Sequence, residues 1–464
     1  MRTGLLVMVL LVYTSLCHSQ SWEEVGSGAS ALNANDVIYT TCVDNSGKVY
    51  AAGAFTDSPS SGAGFKYVAM WDGVTWSKLG SGATALNANG VIETICTDLT
   101  GNVYAAGGFK NGAGFYYVAK WDGTAWHELG TGSSALNANS GIYTICTDPV
   151  GNIYAAGLFK NASGYNYVAK WNGTAWIELG TGISTLNADS YILSIVSDDA
   201  GNIYAGGDFT NGVHKYVAKW DGVTWNELGS GGSTLDANMA IWTLHSDISG
   251  NVYAGGFFTN PAGKNYVAKW NGMSWSELGS GSGALNADEA IFSILSDNKQ
   301  NVYAAGAFKY TSGKTNIAKW DGTAWNSVGV GTSALRGNGF VYTISVDTLA
   351  NALYASGSFS NGTISLDGSR YVARFKIPNT VFDIQKPGQG IVKVYPNPSN
   401  DKITVMLKSD AKSFHYQILN SIGVVVFAGA SLSSNVAIDI SGLQSGVYTL
   451  RIEGFEESFL FEKK

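Results

Sequence analysis

The sequence predicts an all-β protein, a seven-bladed β-propeller with four-stranded blades followed by a small Ig-like β-sandwich. Three observations lead to this prediction. A unit of close to fifty residues recurs through most of the chain, and each unit contains four short strand-like segments. An additional fourth-strand sequence stands alone near the N-terminus. A repeat of this length is typical of propeller blades, whose sheets are arranged around a central axis.

The composition fits a large folded protein with many short strands joined by tight turns. The 464 residues include 59 glycines and only 7 prolines, and the 24 tyrosines and 14 tryptophans favour β structure. Because 45% of the residues are hydrophobic and 14% are charged, the chain is expected to fold rather than remain disordered. The net charge is -7, and the chain lacks the excess of Lys and Arg typical of nucleic-acid-binding proteins, so nucleic acid is not expected as a partner.

The first residues have the pattern of a secretory signal peptide, predicted over residues 1–19. Arg2 provides a positive charge, and Leu5 to Val12 form an apolar run too short to anchor the chain in a membrane. Cleavage is predicted after Ser19, which leaves Gln20 as the new N-terminus. No later stretch has the character of a transmembrane segment, so the protein is expected to be exported.

Seven repeat units are assigned to the propeller, over residues 20–375. In the third unit the four strands correspond to the segments IYTIC, NIYAAG, YVAKW and WIELG. The blade sequence resembles kelch-like repeats of secreted propellers, which implies the fold and little about function. Each unit contains one tyrosine in a YAAG-like motif, namely Tyr50, Tyr104, Tyr154, Tyr204, Tyr253, Tyr303 and Tyr354.

Two kinds of turn are predicted within each blade. A pair such as Asn172-Gly173 separates strands three and four and predicts a two-residue type I′ hairpin. An aspartate before strand two is predicted to cap the turn between strands one and two, and a calcium-binding role is less favoured because the loops are poor in ligands. These aspartates are Asp44, Asp98, Asp148, Asp198, Asp247, Asp297 and Asp347.

Two tryptophans flank each of these hairpins, for example Trp171 and Trp176. We expect both side chains on the same face of the blade, packed against the neighbouring blade. A pair that recurs in nearly every blade is typical of architecture, and a sugar-stacking role is therefore less favoured.

The two ends of the repeat region predict how the ring closes. The seventh unit ends at YVARF, with Phe375 in place of a tryptophan, and no fourth strand follows. The segment from Trp22 to Gly26 has the sequence of an unattached fourth strand. The N-terminal strand is therefore predicted to complete the last blade and to leave no exposed terminal edge.

The chain changes character after Phe375. A linker is predicted over residues 376–391, and residues 392–464 contain short strands of alternating apolar and polar residues, which predict the β-sandwich. The distinctive residues of this tail are Tyr395, Pro396, Asn397, Pro398, Gly446, Tyr448, Lys463 and Lys464.

On these residues the tail resembles the C-terminal sorting domain of type IX secretion substrates of Bacteroidota. The resemblance implies export in two steps, through the signal peptide to the periplasm and then across the outer membrane. The type IX machinery is the implied partner, and the implied location is the cell surface or the medium. A β-sandwich without a sorting role is the alternative.

Residues that commonly carry catalysis or bind metals form no recognisable motif. The five histidines do not recur in register, and HExxH, Walker and Gly-x-Ser-x-Gly patterns are missing, so no enzymatic activity, cofactor or metal is expected. Three cysteines share one first-strand position and are predicted to be small buried side chains without disulfides. They are Cys42, Cys96 and Cys146, followed in later units by Val196, His245, Leu295 and Ser345.

Recognition is expected on one face of the ring. The loops from strand four to strand one and from strand two to strand three are long and share that face, whereas the other face carries tight turns. The candidate ligand-binding residues are the Asn or Asp that ends an LNAN-like motif and the aromatic residue that soon follows it. They are Asn35, Tyr39, Asn89, Asn139, Tyr143, Asp189, Asn238, Trp242, Asp288, Phe292, Asn338 and Tyr342.

Two interpretations of this set are open. Carboxamides beside aromatic rings can hydrogen-bond to and stack on a glycan, or bind a peptide. Alternatively, the Asn and Asp side chains satisfy loop backbone while the aromatic residues pack between blades. The regular recurrence favours this structural interpretation.

Three functions are compatible with these features. The preferred hypothesis is a noncatalytic binding or adhesion propeller at the cell surface, with a glycan or a protein as ligand. The alternative is a structural surface-layer protein without a specific ligand. An enzyme acting on polysaccharide is less favoured, since nothing singles out a catalytic pair of carboxylates.

Overall fold

The structure, a computed structural model, describes most of the chain in two compact units, Met1–Pro378 and Asn379–Lys464. The predicted signal peptide, most of the predicted linker, Asn338 and Pro396 to Pro398 lie outside the described residues. The described residues are 21–58, 64–297, 299–309, 315–329, 335, 339–360, 369–377, 393–395, 399–406, 414–420, 424–431, 435–452 and 458–464.

Seven four-stranded antiparallel sheets make up the first unit, which confirms the predicted propeller. In the first six blades the strand order within the sheet follows the sequence. The first strands of adjacent blades contact one another all the way around, so they form the inner wall of a closed ring. The remaining strands of each blade lead outward from this wall.

The blades have the following strands. Blade 1 contains β2 (Ile38–Val43), β3 (Val49–Gly53), β4 (Ala69–Trp71) and β5 (Trp76–Lys78). Blade 2 contains β6 (Ile92–Thr97), β7 (Val103–Gly107), β8 (Ala119–Trp121) and β9 (Trp126–Glu128). Blade 3 contains β10 (Ile142–Thr147), β11 (Ile153–Gly157), β12 (Ala169–Trp171) and β13 (Trp176–Glu178). Blade 4 contains β14 (Ile192–Ser197), β15 (Ile203–Gly207), β16 (Ala218–Trp220) and β17 (Trp225–Glu227).

Blade 5 contains β18 (Ile241–Ser246), β19 (Val252–Gly256), β20 (Ala268–Trp270) and β21 (Trp275–Glu277). Blade 6 contains β22 (Ile291–Ser296), β23 (Val302–Lys309), β24 (Thr315–Trp320) and β25 (Trp325–Ser327). Blade 7 contains β26 (Val341–Asp347), β27 (Ala352–Gly357), β28 (Ala373–Lys376) and β1 (Glu23–Glu24). Short 3-10 helices precede the first strands at Gly28–Ser30, Gly82–Thr84, Gly132–Ser134, Gly182–Ser184, Gly231–Ser233 and Gly281–Gly283.

The N-terminal strand closes the ring as predicted. β1 pairs with β28 in antiparallel register, with Glu23 opposite Arg374, and the two side chains form an ion pair at 2.7 Å. The Val25 N–H extends the ladder by donating to the Val372 carbonyl at 2.8 Å. The Trp22 ring centroid lies 5.4 Å from that of Phe375, so two aromatic residues join the ends of the repeat region.

The tryptophans of the third and fourth strands connect neighbouring blades, as predicted. In blade 3, Trp171 pairs with Trp176 on one face, with ring centroids 5.9 Å apart. The Trp176 indole N–H donates to the Leu129 carbonyl of the preceding blade at 2.7 Å. The same bond is made by Trp76, Trp126, Trp225, Trp275 and Trp325, and by Trp22 to Val328 in blade 7.

The aspartates between strands one and two cap their turns as predicted, and they also bind the repeated tyrosine. In blade 3, Asp148 Oδ1 accepts the backbone N–H groups of Val150 and Asn152. Its Oδ2 accepts the Tyr154 hydroxyl at 3.0 Å. The same tyrosine–aspartate bond recurs in blades 1, 2, 4, 5 and 6. One side chain thus ties the turn to the second strand.

The hairpin between strands three and four differs from the predicted two-residue type I′ turn. Because Trp171 pairs directly with Trp176, four residues connect the strands in blade 3. Of these four, only Gly173 is left-handed, with a φ of 96°. Asn172 Oδ1 accepts the backbone N–H groups of Thr174 and Ala175, both at 3.0 Å. The polar residue therefore caps the turn with its side chain instead of adopting positive φ itself.

The propeller core lies between blades. Each core cluster combines residues of two neighbouring sheets, such as Ala156 of blade 3 with Ile192 and Phe209 of blade 4. Alanine and glycine in the second strand allow the sheets to approach, and a fully buried phenylalanine follows each of these strands, as Phe159 does in blade 3. Burying such a ring contributes about 1.5–3 kcal/mol per blade.

The second unit consists of two sheets, which confirms the predicted β-sandwich. The smaller sheet contains β29 (Lys393–Tyr395), β30 (Lys402–Met406) and β33 (Asn435–Asp439). The larger sheet contains β31 (Phe414–Leu419), β32 (Val425–Ser431), β34 (Gly446–Ile452) and β35 (Ser458–Lys463). Buried residues of both sheets, including Ile403, Ile418 and Leu450, form one core.

Candidate ligand-binding site at the propeller axis

The LNAN-like motif that precedes each blade holds the long loops together. Its first Asn adopts a left-handed backbone, with a φ of 46° at Asn137. Its final Asn reaches the loop between strands two and three: Asn139 Nδ2 donates to the Lys160 carbonyl at 3.0 Å, and Asn139 Oδ1 accepts the Lys160 N–H at 2.9 Å. Equivalent bonds are made by Asn35, Asn89, Asp189, Asn238 and Asp288, while Asn338 lies outside the described residues.

These contacts support the structural interpretation of the Asn and Asp set. The carboxamides are occupied by loop backbone in the free protein, and neighbouring loops are joined further by paired backbone bonds between Asn166 and Ala188. The result is a fixed platform of loops around the ring axis. Such a platform positions other side chains for recognition.

The aromatic residues of the predicted set lie at a β-bulge in the first strand, which the sequence did not reveal. In blade 3, Ile142 pairs with Gly157 and Thr144 pairs with Ala156, so Tyr143 is the extra residue of a β-bulge. A bulge changes the direction of a side chain relative to the regular ladder. The bulge residues of the seven blades are Tyr39, Glu93, Tyr143, Leu193, Trp242, Phe292 and Tyr342.

Six aromatic residues at this level form a continuous arc, which we name the axial crescent: Tyr39, Tyr342, Phe340, Phe292, Phe257 and Trp242. Tyr39 and Tyr342 join blades 1 and 7 at 5.3 Å between ring centroids. Phe292 stacks on Tyr342 at 5.4 Å and contacts Trp242 at 5.6 Å. The crescent therefore spans four consecutive blades, because blade 5 carries Trp242 and blade 1 carries Tyr39.

Much of this aromatic surface is open. Trp242 and Phe340 are 37% and 46% exposed, although they sit on the inner strands or directly before them. A contiguous group of exposed rings on a rigid scaffold is typical of a recognition surface. The sequence predicts four of the six residues; Phe257 and Phe340 are not among them because neither occupies the aromatic position that follows the LNAN-like motif.

The bulge residues of the other three blades differ in chemistry from the axial crescent. Blades 2, 3 and 4 place Glu93, Tyr143 and Leu193 at the bulge position. Burial raises the pKa of Glu93, since desolvation disfavours its charged form. Burial and then the Glu93 charge raise the pKa of Tyr39 and of Tyr143, the bulge residues of the two neighbouring blades.

Differences among the repeats concentrate at the axis. The buried tyrosine, the turn aspartate and the tryptophan pairs recur almost without change, whereas the bulge position varies from Tyr to Glu, Leu, Trp and Phe. The bulge position is therefore one of the places where near-identical blades differ in side-chain chemistry.

A second position that varies among the blades lies further along the first strands, where three of the blades carry a cysteine. Cys42, Cys96 and Cys146 are free thiols, and burial raises their pKa values, so they are poor nucleophiles at neutral pH. In blade 5, His245 Nε2 accepts the Ser296 N–H at 2.9 Å, and burial lowers its pKa to about 4. The imidazole is therefore neutral at pH 7.

A groove of about 460 Å³ also lies on blade 5. It is lined by Asn238, Asn260, Trp275 and Glu277, among others. Its polar groups are already paired, since Asn260 Nδ2 donates to the Glu277 carboxylate at 3.1 Å. The same Asn–Glu pair recurs in blades 2, 3 and 4. The groove is thus a repeated structural feature, and the axial crescent is the better candidate site.

Two further observations concern the residues that the structure describes. No group of three or more His, Cys, Asp or Glu side chains in those residues is arranged to hold a metal ion. No helix among them is both long and apolar enough to cross a bilayer.

The fold and the site together define a class: a seven-bladed propeller with an aromatic axial surface, joined to a C-terminal β-sandwich. Residues 393–463 match the family model of the secretion system C-terminal sorting domain. This match supports export by the type IX secretion system and a secreted or cell-surface location. The matched range includes every residue on which the resemblance was based except Lys464, namely Tyr395, Pro396, Asn397, Pro398, Gly446, Tyr448 and Lys463. No curated protein sequence matches the chain.

Solved structures are similar to this chain in fold alone. PorZ, a bacterial surface component of the type-IX secretion system of Porphyromonas gingivalis, aligns with a TM-score of 0.50 at 16% identity, over 93% of this chain and 59% of PorZ. This chain therefore spans little more than half the length of PorZ. A fungal alcohol oxidase of the AA5 family, in complex with copper, aligns with a TM-score of 0.54 at 12% identity, over 96% and 99% of the two chains.

Proposed function

We propose that this protein is a noncatalytic binding or adhesion module, displayed at the cell surface or released, whose ligand is bound at the axial crescent. The ligand is a glycan or an extracellular protein. The observation that carries the proposal is the continuous arc of six aromatic rings, partly exposed and built from the positions at which the repeats differ.

Physical considerations favour binding at this place. Exposed aromatic surface is costly in a monomer and becomes favourable when a ligand covers it, by about 25 cal/mol per Å² of apolar area. The crescent rests on paired strands and on loops fixed by Asn139 and its equivalents, so little conformational entropy is lost on binding. The aromatic residues are thus positioned before the ligand arrives.

The export route completes the proposal. The matched sorting domain supports passage through the type IX machinery, and the predicted signal peptide over residues 1–19 would deliver the chain to the periplasm. The kelch-like character of the repeats remains a prediction. A structural surface-layer role is the alternative, and the exposed crescent favours the binding role over it.

Replacing Trp242 by alanine is expected to weaken ligand binding at least tenfold, because an exposed tryptophan at a recognition surface typically contributes about 2 kcal/mol or more. The measurement is a screen of the full chain against arrayed glycans and extracellular proteins, followed by titration of the tightest binder. Phe115→Ala is the matched control: Phe115 is 40% exposed, lies in the loop between the second and third strands of blade 2, and makes no ring contact with the crescent residues. It should leave affinity unchanged.

Other results of the screen would identify the competing functions. Absence of binding across a broad panel would contradict the proposal and favour the structural role. Turnover of a polysaccharide, lost on replacement of one acidic residue, would establish an enzyme instead. Equal loss of affinity in Trp242→Ala and Phe115→Ala would place the site elsewhere.

A further inference from the structure

Glu93 gives the axial ring a single charged bulge residue. Tyr39 and Tyr143 hold the equivalent position in blades 1 and 3, whose first strands contact the first strand of blade 2 on either side, so Glu93 is placed between the two tyrosines around the axis. A carboxylate flanked by aromatic rings is well suited to an alkylammonium group. The ring faces and the carboxylate both attract positive charge, and the rings also contact the aliphatic part of the ligand.

The charge of Glu93 is not balanced within the described part of the protein. Among the described residues the Glu93 carboxylate has no hydrogen-bond donor and no ion-pair partner, and burial raises its pKa. Asp208 of blade 4 provides a contrast, because Lys215 Nζ lies 3.3 Å from one of its oxygens and the Ser190 hydroxyl donates to the other. A half-buried carboxylate without such partners gains most when a ligand supplies the cation.

The surroundings favour a peptide over a glycan. Sugar hydroxyls require free donors and acceptors next to an aromatic platform. The carboxamides that end the LNAN-like motifs, including Asn35, Asn89 and Asn238, are already bonded to the long loops. The phenylalanines of the crescent, Phe257 and Phe292 among them, offer apolar surface only. Apolar side chains and one ammonium group therefore match this surface better than a neutral sugar does.

We infer that the axial crescent binds a lysine-bearing peptide segment, with the lysine ammonium group on the Glu93 carboxylate and neighbouring apolar side chains on the aromatic rings. This inference rests on the proposed function, since it specifies the ligand of the same site. The negative charge at the axis and the open aromatic arc are the two features that the ligand would have to complement together.

The test uses the full chain and four pools of fluorescent, N-acetylated pentapeptides with randomised flanking residues. The central residue is lysine, Nε-acetyllysine, norleucine or glutamate, and tetramers of glucosamine and of N-acetylglucosamine serve as sugar probes. Binding is followed by fluorescence anisotropy. We expect the lysine pool to bind at least about tenfold more tightly than the acetyllysine pool, because acetylation removes the charge.

Glu93→Gln should abolish the difference between lysine and acetyllysine while leaving the thermal unfolding of the chain unchanged. Glu289→Gln is the matched control, since Glu289 is exposed in the connector before blade 6. The control should keep the full preference for lysine. Retention of that preference in Glu93→Gln, or its absence in the unmodified chain, would overturn the inference.

The outcomes separate this inference from the proposed function. If Trp242→Ala abolishes binding but Glu93→Gln has no effect, the crescent is a binding site and only the role of the cation is wrong. If neither variant alters binding of the tightest probe, the proposed site itself is wrong. Tighter binding of the glucosamine tetramer than of any peptide pool would assign the ligand to amino sugars and contradict the peptide.

Discussion

Deleting residues 20–27 is expected to lower the midpoint of thermal unfolding by roughly 5–10 °C. The deletion removes β1 and with it the fourth strand of blade 7. It also removes Val25, which is 1% exposed, and the Trp22 indole that bonds to blade 6 at 3.0 Å. Burial of these two side chains contributes about 1.5–3 kcal/mol each, to which the lost hydrogen bonds add about 1 kcal/mol apiece.

The loss would extend beyond blade 7. Without β1, the edge of β28 is unpaired, and an open edge invites association with other chains. Calorimetry and size-exclusion chromatography of the deletion variant would measure both effects. Glu23→Ala is the control, because it removes only the ion pair with Arg374, and an ion pair of this kind is worth about 0–1 kcal/mol. Unchanged unfolding and a monomeric deletion variant would show that the ring does not depend on its N-terminal strand.

Replacing Gly107 by alanine is expected to destabilise the protein by about 3 kcal/mol or more. Gly107 lies opposite Ile92 at the start of the bulge in blade 2. A Cβ atom there would overlap the Val91 carbonyl oxygen and lie 2.7 Å from the Glu93 backbone nitrogen. These are backbone atoms, so they cannot move without disturbing the strand and the bulge that positions Glu93.

A matched control is available in the same blade. At Gly112 an added Cβ meets no atom within 4 Å, and its backbone is not left-handed. Gly112→Ala should therefore change the free energy of unfolding by no more than about 0.5 kcal/mol, or stabilise slightly by restricting the unfolded chain. Chemical denaturation of both variants gives the comparison. Similar stability of the two variants would contradict the close approach at the bulge.

The architecture could be predicted because its signals are local and repeated. Three such signals predict it: the aspartate that caps the turn between strands one and two, the paired tryptophans, and the unattached strand from Trp22 to Gly26. Closure was predictable from what the seventh unit lacks. These features depend on neighbouring residues or on simple counting of repeats, so a single sequence contains them.

The site was less predictable because it depends on register. The turn at Asn172 was predicted as type I′, but direct pairing of Trp171 with Trp176 fixes a longer connection. The glycine of each YAAG-like motif, Gly157 in blade 3, lies opposite the residue at which the bulge begins, but the motif by itself does not show that a bulge is present. The available signal was variation among the repeats. This variation indicates the bulge position. The regular recurrence of the LNAN-like motif instead indicates its asparagines, which bind loop backbone.

The most direct measurement of the central claim is hydrogen exchange of the full chain with and without its tightest ligand. Binding at the axial crescent predicts slower exchange of amides in residues 239–243, 290–293 and 339–343, which surround Trp242, Phe292 and Tyr342. Exchange in the turns at 98–102 and 148–152, between strands one and two, should stay the same. Protection confined to those turns, or to the blade 5 groove around Asn260, would contradict an axial site.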